Sequence, residues 1–174
     1  MATPHPFPPA LLICAQLGAD LDVLERARAA LSEHFGAVAA ADEPVPFTWS
    51  DYYRREVGES PWRQYLAFRE LVDPSGLAGI KLATNRLEAE LAQGGPRRVN
   101  LDPGYLDLSK LILASAKDAT YRVYLGRGIS AQPTLHFQDG SYRPWEWTYP
   151  SYRDPGTLEF FNRARKLYRE FLKG

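Results

Sequence analysis

The order in which hydrophobic periodicity switches along residues 10–101 constrains the fold of this chain more than any other feature. Residues 10–17 (ALLICAQL) are almost wholly apolar, the pattern of a central buried strand. Gly18 ends that run. Asp20 or Asp22 can cap a helix whose apolar positions Leu21, Leu24, Ala27, Leu31 and Phe35 recur at helical spacing until Gly36 stops it. In VPFTWSDYY, Val45, Phe47 and Trp49 alternate with Pro46, Thr48 and Ser50, which is strand period. Asp51 falls on the next inward position, so either the strand leaves the core there or the acid has a functional role. A polar loop over 54–61 leads to the aromatic-rich segment 62–71, which returns as a strand. Asp73-Pro74 is a helix start, and Leu77, Ile80, Thr84, Leu87 and Leu91 share one helical face before Gly94-Gly95-Pro96. Residues 97–101 form another short strand.

Strand, helix, strand, strand, helix, strand is the order of the ferredoxin-like split βαββαβ unit. The predicted fold class is therefore α+β, with that core at 10–101. Its topology places residues 51–53 and 100–102 on one rim, though on opposite edges. The remainder, 102–174, is predicted to be an extension packed on the core. Asp107 caps a helix over 108–117; 121–125 is a strand; Gly126-Arg127-Gly128 is a turn. Residues 129–137 alternate as a half-buried strand, with Pro133 marking an edge or bulge. Asp139-Gly140 signals a hairpin into a strand near 142–147. Asp154-Pro155 opens a final helix with Phe160, Phe161, Ala164, Leu167, Tyr168 and Phe171 on its apolar side. Arg163, Arg165, Lys166, Arg169 and Lys173 form its solvated side. Residues 1–9 are a flexible, proline-rich arm, and 10–174 are one domain.

Several chemistries are excluded. An apolar content of 45% rules out a disordered chain. The single cysteine, Cys14, permits no internal disulfide and no cysteine-based metal site, and its apolar context makes it a packed, inert thiol. No run approaches ~18 consecutive apolar residues and the start lacks the basic region of a secretory signal, so no membrane association and a soluble, cytoplasmic protein are expected. His5, His34 and His136 are far apart and no HxxxH or HExxH occurs, which disfavours zinc. Magnesium on Asp102 and Asp118 is the one carboxylate-held alternative. GxSxG is absent, as is GxGxxG after a strand. No cofactor is identified.

Residues 1–96 carry 8 Lys+Arg against 13 Asp+Glu, and residues 97–174 carry 13 against 8. The basic half can attract phosphates or an acidic partner, or the two halves can pair with each other. Within it, residues 97–127 are the densest mixture of charges, hydroxyls and an amide in the chain. Asp102-Pro103-Gly104 reads as a turn. The expected helix start at Asp107, with Lys110 in its first turn, is a potential anion site unless Asp107 itself satisfies the free N–H groups. Lys117 suits a helix C-terminus, Arg122 the polar side of a strand, and Arg127 a loop tip between glycines. The candidate ligand-binding residues are Asn100, Asp102, Tyr105, Lys110, Lys117, Asp118, Arg122 and Arg127. Trp145, Trp147, Tyr149 and Tyr152 either close a core against the terminal helix or stack on bases.

The ordered motifs FTWSDYY, LVDP, RRVNLDPGYLDLSKLILASAKD, YRVYLGRGI and WTYPSYR resemble the bacterial domain-of-unknown-function family numbered 4416, over about residues 11–172. The resemblance implies a stand-alone soluble domain and carries no activity or catalytic residue with it. Ser115-Ala116-Lys117 is similar to the guanine-loop tripeptide of small GTPases. GxxxxGK[ST] is missing, however, and with it the backbone cradle and lysine that hold nucleotide phosphates; Asn-Lys-x-Asp is missing too. Three functions are compatible with these residues. One is binding of a phosphate-bearing ligand, a nucleotide or RNA element, without P-loop chemistry. Another is a protein–protein adaptor. The last is a small enzyme with Asp102 or Asp118 as acid/base and Lys110 or Lys117 stabilising an anion.

Overall fold

The computed structural model describes residues 2–174. Its elements run β1 (Ala10–Gly18), α1 (Leu21–Phe35), β2 (Val38–Ala41), β3 (Val45–Pro46), α2 (Tyr52–Glu56), β4 (Trp62–Val72), a 3-10 turn (Pro74–Gly76), α3 (Leu77–Ala92), β5 (Val99–Leu106), β6 (Lys110–Ser115), β7 (Val123–Gly126), β8 (Ile129–Gln138), β9 (Ser141–Pro144), α4 (Pro150–Arg153) and α5 (Pro155–Phe171). The strands form one nine-stranded sheet in the order β2-β4-β1-β5-β6-β8-β7, with β3 on β4 and β9 on β8. Every pairing is antiparallel.

Alternation along the strands sends side chains to two cores. Leu12 and Cys14 of β1, Leu66 and Phe68 of β4, and Val99 and Leu101 of β5 pack on α1 and α3. Leu11, Ile13, Tyr65, Leu106, Leu111 and Leu113 pack on Phe160, Phe161, Ala164 and Tyr168 of α5. All three long helices, α1, α3 and α5, form as the sequence predicts. Asp20 accepts from Val23 N to cap α1, and Asp154 accepts from Gly156 N and Thr157 N to cap α5. Asp73 caps the 3-10 turn rather than α3 itself.

The helix expected over 108–117 does not form; β6 stands there. Leu111 and Leu113 face α5, while Ile112 and Ala114 face Leu77 and Ala78 of α3. A strand covered on both sides is a continuous apolar run and leaves no period to distinguish it from a short helix. Asp107 closes the β5–β6 hairpin: its N–H donates to Lys110 O, and its Oδ1 accepts from Ser109 N and Lys110 N. The strand expected over 45–49 shrinks to β3. β3 pairs only with Trp62 and Arg63 of β4, and the same edge is continued at Leu66–Phe68 by β2, whose Ala-rich sequence carries little strand signal.

Asp102-Pro103-Gly104 is not a turn either; it lies within β5. Gly104 has no positive φ, and its role is close approach. A Cβ there would sit 2.2 Å from Ile112 O and 2.9 Å from Leu113 Cδ2. Gly104→Ala should therefore push β5 and β6 apart and destabilise the fold by about 2 kcal/mol or more, read as a lowered denaturation midpoint.

A cavity where the sheet splits

β1 follows β5 all the way to the Gly18–Val99 pair, but β6 pairs with β5 only over Gly104–Leu106. Beyond Gly104, β6 stays with β8 as far as the Ser115–Ser130 pair, so β5 and β6 part. Backbone edges freed by such a split need partners. Leu101 and Pro103, two apart, turn their edges to the same side, so the N–H that proline lacks is not missed there. Leu101 N–H donates to Glu88 Oε1 at 2.6 Å, and Leu101 O accepts from Lys81 Nζ at 2.7 Å. Both side chains come from α3, on the other side of the sheet. Lys81 is 5% exposed and its ammonium also lies 3.2 Å from Asp102 Oδ1.

The network continues along β5. Asn100 Nδ2 donates to Asp102 Oδ2 at 2.6 Å, and Arg97 donates to Asn100 Oδ1. Arg97 also pairs with Glu88 at 2.8 Å and Glu56 at 3.1 Å. Burial pushes the Glu88 carboxyl up, opposed by Lys81 and Arg97. Arg97–Glu88, Arg97–Glu56 and Arg98–Asp20 each join a cation of the basic half to a carboxylate of the acidic half, so part of the charge asymmetry is neutralised internally.

Above the split, on the α5 side, is a cavity of about 540 Å³. Its floor includes Arg63, Tyr65, Asn100, Asp102, Leu113 and Gln132; segment 47–53 and residues 149–152 wall it in. At its mouth, Lys117 Nζ donates to Tyr52 OH at 2.6 Å, and that hydroxyl donates on to Glu56. Arg122 reaches the same mouth, donating to Gln132 Oε1, Ser115 Oγ and Tyr149 OH at 2.9, 2.8 and 2.6 Å. Neither cation forms an ion pair with a carboxylate among the described residues. Gln132 Nε2 and Tyr152 OH, both buried, have no hydrogen-bond partner among the described residues. Burial, and after it the Asp102 carboxylate, pushes the Tyr53 hydroxyl well up; burial dominates at Tyr149 and Tyr152 too. These hydroxyls are neutral donors at ordinary pH.

Residues 8–168 match the family described as domain of unknown function DUF4416. This chain belongs to that family. No curated protein and no solved structure matches it. In this DUF4416 domain the matched span contains every wall of the cavity. Among the described residues no helix is long and apolar enough to cross a membrane, and no group of His, Cys, Asp and Glu could hold a metal ion.

The cavity gathers part of what the sequence nominated. Asn100, Asp102 and Lys117 line it and Arg122 reaches its rim, together with Tyr52 and Tyr53. The other candidates lie elsewhere. Tyr105 packs beside Leu77 and Ala78 on the α3 side, because it sits an odd number of residues from Asn100 and Asp102 in the same strand. Asp118 is exposed, accepts from Ala119 N and does not line the cavity, so it shares no magnesium site with Asp102. Arg127, at φ 58 in the β7–β8 turn, holds its guanidinium over Gly79 of α3.

Lys110 forms no anion site: with no helix N-terminus present, its ammonium pairs with Asp107 Oδ2 at 2.5 Å. Burial works to raise the Asp107 carboxyl, but the Lys110 and Ser109 hydrogen bonds outweigh it and hold that group below the usual range. A depressed carboxylate contributes stability above its unfolded pKa of about 3.9 and loses it as pH falls through the folded value. Asp107→Asn should cost about 1–2 kcal/mol at pH 7, and wild type and variant should converge on acidification in a pH series of urea melts.

Sequence inspection missed Lys81 and Glu88. The available signal was their spacing on α3, where Lys81, Thr84, Asn85 and Glu88 form a polar stripe beside the apolar one. Trp145 and Trp147 stack on each other, with Tyr121 continuing the stack, whereas Tyr149 and Tyr152 belong to the cavity.

Proposed function

We propose that this protein binds a phosphate-bearing nucleotide in the cavity above the β5–β6 split, without P-loop chemistry. The observation that carries this reading is the pair of mouth cations, Lys117 and Arg122, which are hydrogen-bonded to neutral groups and lack a carboxylate partner among the described residues. Such cations receive a phosphate through charge-assisted hydrogen bonds. The aromatic walls supply faces for a base, and the unpartnered Gln132 Nε2 and Tyr152 OH supply donors for its carbonyl or ring-nitrogen acceptors. The volume falls within the range of small-molecule sites, roughly 300–1,000 Å³, and a cavity of that size favours a mononucleotide over an RNA element. Native mass spectrometry of freshly purified protein, with a thermal-shift panel of nucleotides, tests it. A nucleotide should co-purify or raise the melting temperature; if neither happens, the proposal fails.

A second reading is favoured by the Lys81–Asp102 pair on the cavity floor: Asp102 as acid/base in a small enzyme acting on the same ligand. It requires turnover that disappears in Asp102→Asn while binding persists. We also place β2-β4-β1-β5 in a ferredoxin-like split arrangement, supported by their order, their antiparallel pairing and the packing of α1 and α3 on one face.

A further inference from the structure

We infer that Arg63, which lines the cavity from β4, three strands away from β6 in the sheet order, is a second oxyanion subsite, so that the ligand is a nucleotide carrying an additional acid group remote from its phosphate. This rests on the proposal that a phosphate occupies the mouth. Arg63 projects from β4 on the same side as Tyr65, lines the cavity and is 6% exposed. Its guanidinium is half used. Nη1 donates to Asp42 Oδ2 at 2.8 Å. Nε is buried without a partner, and Nη2 has none among the described residues.

Asp42 cannot complete the fork. Its other oxygen, Oδ1, accepts from Tyr65 N at 2.6 Å, which fixes the carboxylate against the edge of β4. The guanidinium is held in place by aromatic faces: its carbon lies 4.1 Å from the Tyr65 ring centroid and 5.5 Å from that of Trp49. A buried charged donor left unpaired is costly. The Nε/Nη2 edge is the face of arginine that matches a carboxylate or phosphate with two parallel hydrogen bonds.

The sheet sets the reach of the ligand. Between β4, which carries Arg63, and β6, whose end carries Lys117, stand β1 and β5. Two interstrand steps of ~4.8 Å lead from β4 to β5, and the parted β5–β6 edge is wider than a third, so the two strands stand more than about 14 Å apart. A nucleoside monophosphate with a neutral base satisfies the mouth alone. A nucleotide with a carboxylate or a second phosphate remote from the first satisfies both ends.

Paired probes differing by one acid group test this by isothermal titration. AMP is compared with AMP bearing a succinyl group on N6, and the dinucleotide pApA with pApAp. In wild type, at least one acid-bearing member should bind about 10-fold or more tightly than its parent. The succinyl pair reports a carboxylate and the dinucleotide pair a phosphate. In Arg63→Gln the ratio within that pair should fall to near one. Arg63→Lys, which keeps the charge opposite Asp42 but not the fork, should lose most of the ratio and covers the case in which Arg63→Gln does not fold. Equal affinities within both pairs in wild type, or a ratio that survives in Arg63→Lys, overturns the second subsite and leaves the mouth site standing. Failure of all four probes to bind wild type overturns both.

Discussion

Lys81→Met should lower the unfolding midpoint by about 6–12 °C. Methionine replaces the lysine stem with a side chain of similar length, so little packing is lost. What disappears is the ammonium that satisfies Leu101 O and Asp102 where β6 has left β5. Removing one partner of a buried ion pair costs about 3–5 kcal/mol. Asp102 keeps 34% of its side chain exposed and can be partly rehydrated, which brings the expectation down to about 3 kcal/mol. In a chain of this length each kcal/mol moves the midpoint by about 2–4 °C. Adding Asp102→Asn should recover part of the loss, because the stranded carboxylate is then gone. Calorimetry of the single and double variants measures both numbers. A Lys81→Met midpoint within 2 °C or so of wild type would mean that α3 does not seal the split.

The largest effect on binding is expected from Lys117→Ala combined with Arg122→Gln. Hydrogen bonds to charged groups contribute about 1.5–3 kcal/mol each, so losing both cations should weaken a nucleotide by about 100-fold or more. Lys117→Ala alone should cost about 10-fold. Because Lys117 is exposed and the only hydrogen-bond partner of its ammonium among the described residues is the Tyr52 hydroxyl, truncating its side chain should change stability by less than about 1 kcal/mol. Salt separates this account from a simple change of pocket shape. Raising ionic strength from about 50 to 500 mM shortens the screening length severalfold. It should therefore weaken the wild-type complex and leave what remains of binding by the double variant nearly unchanged.

Much of the fold was legible because its long elements carry one clean period. β1, α1, β8 and α5 read directly from apolar spacing, capping acids and glycine stops. β6 did not, since Leu111, Ile112, Leu113 and Ala114 are buried on both sides and show no alternation. That one misassigned segment also hid the rest of β5, turned Asp102-Pro103-Gly104 into a supposed turn and gave Lys110 a helix end that does not exist. Had residues 99–106 been recognised as a single strand, period two would have separated Tyr105 from Asn100 and Asp102. The candidate site was visible where polar groups cluster along the chain, at Asn100, Asp102, Lys117 and Arg122. It was invisible where it depends on tertiary structure. Lys81 and Glu88 look like ordinary polar residues flanking a helix stripe until the split between β5 and β6 exposes Leu101 to them. Arg63 looks like one arginine in an aromatic strand until Asp42, Trp49 and Tyr65 surround it.

The central claim is that an anion-bearing nucleotide occupies the cavity above the split. Amide and side-chain NMR shifts of isotope-labelled protein, followed during a titration with AMP, test it most directly. The account predicts saturable shifts centred on Ser115, Lys117, the Arg122 guanidinium, the Gln132 side-chain amide and the walls at Tyr52, Tyr53, Tyr149 and Tyr152, with the exposed basic side of α5 silent. Saturation that leaves those signals unmoved, or shifts concentrated on Arg163, Lys166 and Arg169, would contradict it.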